Sequence, residues 1–344
     1  MTKLTIGDIA RLAGVSTATV SRAIHTPNLL KPATLAQVRK TLTEHNYIYN
    51  ALAGDLSKRK SSILGISVPT VESAKLSETV FALQETVQTR GFPAIINNTS
   101  FNPDRERAQL LQARERSLSG LFLIGCMDEN LAYLDELIAA GIPCVFLWDI
   151  LPGTDYNYVG FDNQEASYNM TVYLIGLGHR RIAFVGAMQS QIERVRKRFN
   201  GFAAAMGDNG LPLDQQLIKE ASPSLENGYR LMEMFQDLGR LSPTAIFFAS
   251  DMLALGALAA CRHRGLAVPD RISIAGFDNI EFSNYGYPPL TTVYVPSREI
   301  GQMAGRFMLD ILQASSTSPP RQRCLETSLI IRETCAPPAM NAGG

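Results

Sequence analysis

The chain has 344 residues, 46% of them hydrophobic and 19% charged, with 32 Lys and Arg against 32 Asp and Glu. That is the balance of a soluble globular protein with room for two or three domains. No run approaches the roughly 18 consecutive apolar residues of a membrane helix. The opening MTKLTIGDIARLAG carries no apolar signal segment, and the five cysteines are scattered without a CxxC pair. A disulfide framework, a zinc site and a membrane anchor are thereby disfavoured, and a reduced, cytoplasmic protein without a metal or cofactor is expected.

The neutral total hides an asymmetry. Residues 1–60 hold nine Lys or Arg against three Asp or Glu, a net charge of +6 that leaves −6 on the remainder. A small basic module on a large acidic one points to a polyanionic partner at one end. Spacing makes this specific. Ile6, Ile9, Ala10 and Ala13 recur at helical intervals, Gly14 permits a left-handed turn, and Ser16 can cap a second helix running through Val20 and Arg22. A helix-turn-helix follows, with Ala10 and Val20 at the crossing and Val15 between the helices. Thr17 and Ala18 are placed to reach base edges in a major groove, and Ser16, Thr19, Ser21 and Arg22 to reach bases or phosphates. Thr5, just ahead of the first helix, joins the DNA-facing set. Leu35, Val38 and Leu42 make the stripe of a third helix beginning near Pro32.

The segment GDIARLAGVSTATVSRAI, with Asn46-Tyr47-Ile48 and Asn50-Ala51-Leu52-Ala53 behind it, resembles the head of the LacI/GalR family of bacterial repressors. The resemblance implies a hinge helix at residues 50–60 that orders on the operator. Leu56 would wedge into the minor groove there, beside Asn50, Ala53 and Lys58, and two such wedges need a homodimer. Tyr49, Gly54 and Asp55 stand where the family usually has Pro, Arg and Ser. Gly54 lowers helix propensity by about 1 kcal/mol relative to Ala and Asp55 brings a negative charge near phosphates, so a hinge that orders less readily is expected.

From Ser61 onward short apolar runs alternate with helical stretches. Strands are expected at 63–69, 94–97, 120–125, 143–148, 158–162, 181–186, 244–250, 272–278 and 291–295, with helices such as 78–91, 104–117, 165–176 and 252–264 between them. This alternation predicts parallel sheets covered on both faces, in two doubly wound α/β subdomains with a ligand at the strands' carboxyl ends. Crossings between subdomains are expected after Asp149 and near 285–289. The division is then a head at 1–49, a hinge at 50–60 and an effector domain at 61–335. The amino subdomain takes about 61–160 and 290–320, the carboxy subdomain about 161–289 and 321–335, and residues 336–344 form a frayed tail.

Segments GHRRIAFVG, RFNGFAAAM, SDMLALGAL, VPDRISIAGFDN and PPLTTVYVPSREIG extend the resemblance to the family's periplasmic-binding-protein-like effector domain. By that match Arg198 and Asp278 hold the effector, Asp149 is the analogous carboxylate of the amino subdomain, and Ser250 stands where relatives often carry Asn. An arginine fork suits paired hydroxyls or a carboxylate. Lys75, in the loop after the first strand where relatives place an aromatic or apolar residue, favours with Arg198 an anionic effector. VGFDNQEASYNM, GHRRIAFVGA and RISIAGF look most like the gluconate- and idonate-responsive members, so a sugar acid or its phosphate is the expected effector. A purine- or nucleoside-responsive regulator would need aromatic stacking, for which Phe161 and Trp148 are the candidates, and a neutral-sugar regulator is a further alternative. The partners expected are double-stranded operator DNA, the small-molecule effector and a second copy of the chain in a dimer or tetramer, with no membrane. No enzyme motif appears, and a solute-binding protein is disfavoured by the basic head.

Overall fold

The computed structural model describes residues 4–48, 61–187, 193–236, 242–314 and 319–339. The chain divides into two compact units, Met1–Ser61 and Ser62–Gly344.

In the first unit, α1 (Ile6–Leu12), α2 (Thr17–His25) and α3 (Pro32–Glu44) enclose a small core. Thr5 opens α1 with a capping box: its hydroxyl accepts from the Asp8 amide at 3.2 Å, and the Asp8 carboxylate accepts from the Thr5 amide at 2.9 Å. Gly14 turns the chain at φ +61°, and nothing lies within 4 Å of where a Cβ would sit. Backbone conformation alone therefore calls for glycine there. Ile9, Ala10, Ala13, Val20, Ala23 and Val38 are buried together, and Gln37 ties α3 to the turn by donating to the Ala13 carbonyl at 2.9 Å.

The second unit contains two six-stranded sheets. The first has the order β11-β5-β4-β3-β1-β2, built from β1 (Leu64–Val68), β2 (Ala94–Asn98), β3 (Gly120–Leu123), β4 (Cys144–Leu147), β5 (Asn157–Gly160) and β11 (Gln322–Cys324). The second has the order β12-β10-β9-β8-β6-β7, built from β6 (Ile182–Gly186), β7 (Ile218–Glu220), β8 (Ala245–Phe248), β9 (Ser273–Asp278), β10 (Thr291–Tyr294) and β12 (Ser328–Ile330). Among the described residues all pairings are parallel except β12 against β10. β1, β3 and β4 are buried at every position. These continuous apolar runs are what a sheet covered on both faces requires.

Helices α4 (Ala74–Gln88), α5 (Pro103–Glu115), α6 (Leu131–Ala139), α7 (Asn163–Gly176), α8 (Glu193–Asp208), α9 (Leu225–Gln236), α10 (Asp251–His263), α11 (Glu281–Tyr285) and α12 (Ser297–Gln313) supply the cover. α12 packs against α4, and α7 against α8. Both crossings are close: a Cβ on Gly301 would sit 2.2 Å from the Thr79 carbonyl oxygen, and one on Gly201 2.1 Å from that of Gln164.

Strand pairing corrects the expected crossings. The chain stays in the first sheet after Asp149, because β5 pairs with β4, and it stays in the second sheet after 285–289, because β10 pairs with β9. It changes sheet after β5, after β10 and again between β11 and β12. Residues 291–294 therefore belong to the carboxy subdomain, and 322–324 to the amino subdomain. The first residue of the expected tail is anchored. Ala336 is held by His179 and Ser273, with its carbonyl 3.0 Å from His179 Nε2 and its amide donating to Ser273 Oγ at 3.1 Å. His179 is buried, and its other ring nitrogen lies 2.9 Å from Thr244 Oγ1. Burial pushes its pKa down, which suits a neutral imidazole acting as a clip. Among the described residues no helix is long and apolar enough to cross a membrane.

Candidate DNA-binding head and effector cleft

At the head, the first turn of α2 is presented outward. Ser16 caps it, its hydroxyl accepting from the Thr19 amide at 3.2 Å and lying 2.9 Å from Thr19 Oγ1. Ser16, Thr17, Ala18 and Arg22 are exposed, and Thr19 and Ser21 half-buried, while Val20 and Ala23 point into the core. The buried face fixes the helix and leaves the other as a short row of small polar side chains with one arginine, which fits a groove floor. Thr5 is exposed too, but its hydroxyl is engaged with Asp8. Asn50, Ala53, Leu56 and Lys58, with Tyr49, Gly54 and Asp55, lie outside the described residues.

The second site is a cluster of charged side chains at the carboxyl ends of both sheets. Asp149 follows β4, where Trp148 takes φ +74°, and Asp278 ends β9 at φ +113°, followed by Asn279 at +52°. Side-chain-bearing residues seldom adopt such angles, and strain of this kind concentrates at ligand sites. A Cβ on Gly160 would come within 2.2 Å of the Asp149 carbonyl oxygen, so that glycine lets β5 lie against the Asp149 backbone.

α8 supplies the cations. Arg198 is buried, donates from Nε to Asn163 Oδ1 at 2.9 Å and from Nη1 to the Ala249 carbonyl at 2.8 Å, and lies 3.6 Å from Asp278. Its guanidinium sits 3.7 Å above the Phe277 ring centroid. Burial raises the Asp278 pKa to about 6 against the opposing charges of Arg198 and Lys75. Ser250 caps α10, accepting from the Met252 amide at 3.3 Å, and its hydroxyl opposes the rise in the Asp278 pKa.

Lys75 departs from its expected place. It sits in the first turn of α4, not in a loop, with a side chain 13% exposed and paired to Glu78 at 3.2 Å. Ser73 caps that turn and starts the helix four residues earlier than apolar spacing alone suggests. Phe161 departs further. It is fully buried, with its ring edge-on to Trp148 at 5.9 Å and 6.2 Å from Phe277, so it is core packing and offers no face to a ligand.

Three cluster residues were not anticipated. Lys197 donates to both oxygens of Asp149 and to the Ile150 carbonyl, each at 2.9 Å. Arg194, one turn before Arg198, is 7% exposed and donates to the Ile124 carbonyl at 3.1 Å, yet among the described residues no carboxylate lies within 4 Å of it. Burial and the like charge of Arg198 push its pKa down to about 10. Asp251 is fully buried and accepts from the Ile280 amide at 2.9 Å and from the Ser283 and Thr292 hydroxyls at 2.6 Å each, fixing the turn behind Asp278. Burial, with Asp278 second, raises its pKa to about 7. The visible signal for the two cations was ERVRKR itself, which sets Arg194, Lys197 and Arg198 on one helical face.

Two surface depressions lie elsewhere, one of about 480 Å³ around Leu225, Tyr229 and Ala259 and one of about 270 Å³ around Arg181, Pro212 and Leu217. Neither includes a residue of the strand-end cluster. The converging charges, not concavity, mark the candidate site.

Residues 5–50 match the model of the lacI family of bacterial regulatory proteins, and 171–335 that of the periplasmic binding protein-like domain. The chain is 32% identical over 302 residues to the HTH-type transcriptional regulator DegA of Bacillus subtilis (strain 168), covering 87% of this chain and 88% of DegA. It is 30% identical over 331 residues to the HTH-type transcriptional repressor CytR of Escherichia coli (strain K12), covering 96% of each. The chain belongs to the lacI family. Among solved structures, the lac repressor dimer bound to operator and the anti-inducer ONPF superposes with a TM-score of 0.83 at 26% identity, over 97% of this chain and all of that one.

For a lacI-family protein the two sites divide the labour: the head contacts DNA and the two-sheet domain answers to a small molecule. The relatives are transcriptional regulators and not enzymes. The relatives DegA and CytR are not gluconate or idonate repressors by name.

Proposed function

We propose that this protein is a transcriptional repressor that binds operator DNA as a homodimer and is controlled by an anionic polyol, a sugar acid or its phosphate, held at the strand-end cluster. One observation carries the effector class: Arg194 is a buried guanidinium with no carboxylate beside it. Burial depresses its pKa even though Asp149 and Asp278 oppose the shift from further off, and an effector carboxylate or phosphate is the charge that would pair with it directly. Arg198 and Asp278 then take hydroxyls, as the donor and acceptor of a polyol site. Effector binding shifts the relation of the two sheets, and operator affinity changes by the effector's differential affinity for the two states. Homodimer formation is supported by the similarity to the lac repressor dimer and by apolar side chains left in water. Phe81 on α4 is 58% exposed, and Ile95 and Ile96 on the edge strand β2 are 44% and 40% exposed.

A nucleoside effector is less well supported. Trp148 and Phe161, the aromatic candidates for stacking, are buried, and the Trp148 indole N–H is engaged with Thr79 Oγ1 at 3.0 Å.

Footprinting of the full-length protein on its own upstream DNA, with a parallel thermal-shift panel, tests both halves. Protection of a near-palindrome that weakens with gluconate or 6-phosphogluconate, together with a raised Tm, is the expected result. Stabilisation by neutral sugars or nucleosides alone would remove the effector class, and absence of any preferred duplex would remove the regulator reading.

A further inference from the structure

Asp149 poses a difficulty for any anionic effector, since its carboxylate stands at the end of β4 on the rim of the same cluster that would receive a second negative charge. The structure shows how this is met. Lys197 reaches from α8, which packs on the carboxy subdomain, to Asp149 in the amino subdomain, and spends all three of its N–H donors on the two carboxylate oxygens and the Ile150 carbonyl. Both side chains are largely withdrawn from water, at 19% and 12% exposed. The geometry assigns Lys197 as the specificity-determining residue of the effector site: by neutralising Asp149 it admits an anionic ligand, and without it the freed Asp149 oxygens would accept hydroxyls of a neutral polyol instead.

This assignment rests on the anionic-effector reading above. The physical basis is ordinary electrostatics. An unpaired carboxylate several ångströms from a ligand carboxylate repels it by an amount that, at an effective dielectric of about 20, corresponds to tenfold or more in affinity. The same carboxylate with free lone pairs is a good acceptor for a sugar hydroxyl. Arg194 and Arg198 contribute positive charge from the same helix, with Asp278 opposing it from β9, but neither arginine lies within ion-pair distance of Asp149. Neutralisation of Asp149 is therefore the work of Lys197.

The test uses the full-length protein and calorimetric titration with two probes of matched carbon skeleton, D-gluconate and D-glucitol. Wild type is expected to prefer gluconate. Lys197→Met, which keeps the aliphatic stem, is expected to lose gluconate affinity by about tenfold or more while holding or gaining glucitol. Lys197→Arg should retain the wild-type preference. Asp149→Asn in the Lys197→Met background should recover gluconate binding, because the repelling charge has gone; a purely structural role for the lysine predicts no such recovery. An unchanged gluconate preference in Lys197→Met, or equal loss of both probes without recovery in the double variant, overturns the assignment of Lys197. Wild type that binds glucitol and not gluconate overturns the anionic-effector reading itself, a distinct and separately visible failure.

Discussion

Asp149 and Asp278 end corresponding strands of the two sheets, each at a point where the backbone turns through an angle that side-chain-bearing residues avoid, and each faces a cation from α8. Their surroundings nevertheless differ in kind. Asp278 faces an arginine locked from four directions by Asn163, the Ala249 carbonyl, the Phe277 ring and the aspartate itself. Asp149 faces a lysine, a single charge on a flexible stem, whose partners are all on the opposite subdomain. A planar fork held by directional bonds is part of the framework, whereas a point charge can exchange partners. The carboxy side of the cleft is thus a fixed wall held by a planar fork, and the amino side is held by a single point charge.

Breaking the fixed wall should have the largest effect. Arg198→Ala strands a buried carboxylate and two hydrogen-bond acceptors, and a loss of about 3–5 kcal/mol of unfolding free energy in urea is expected. A loss below about 1 kcal/mol would show that the arginine is there for the ligand alone.

The pH dependence is next in size. The Asp278 pKa stands near 6 in the folded protein against an ordinary 3.8, so the folded state holds that proton more tightly than the unfolded chain does. Its contribution is full below about pH 4 and is lost as pH rises through 6, by roughly 3 kcal/mol. Asp251, pushed to about 7 beside it, widens the window to neutral pH, and the two titrate as a pair. Between pH 4 and 7, wild type should therefore lose stability relative to Asp278→Asn. Parallel denaturation curves across that range would contradict the account.

The smallest effect sharpens the amino side. In Gly160→Ala the added methyl meets the Asp149 backbone, which must move. A cost of about 1–3 kcal/mol in thermal unfolding is expected, with the Asp149–Lys197 pair displaced. Gly207→Ala, whose Cβ meets nothing within 4 Å, serves as the control and should be neutral or slightly stabilising.

Local pattern made much of this legible. The head's three helices, its glycine turn and the outward first turn of α2 follow from a 3.6-residue apolar period, a cap and one left-handed position, all encoded within a few residues of where they act. Of the nine longer strands, all but the exposed edge strand β2 were legible because buried parallel strands are nearly uninterrupted apolar runs. Three short edge strands, β7, β11 and β12, were not, since three-residue stretches with little or no burial, such as the exposed Gln322–Cys324, carry no periodic signal. The places where the chain changes sheet were misread for a related reason: a Pro and Gly cluster marks a turn but does not say which strand pairs next.

Amino-acid order alone determined the two kinds of unit, the basic charge balance of one, and the placing of Asp278 and Asp149 at strand ends. Only tertiary packing decided that Phe161 is core and not ligand wall, that Lys75 is paired within its own helix, and that Arg194 and Lys197 reach the opposite sheet. Those outcomes depend on which atoms a long side chain finds at its far end. That environment is assembled from segments as distant in sequence as Phe161 and Phe277, and spacing along the chain does not record it.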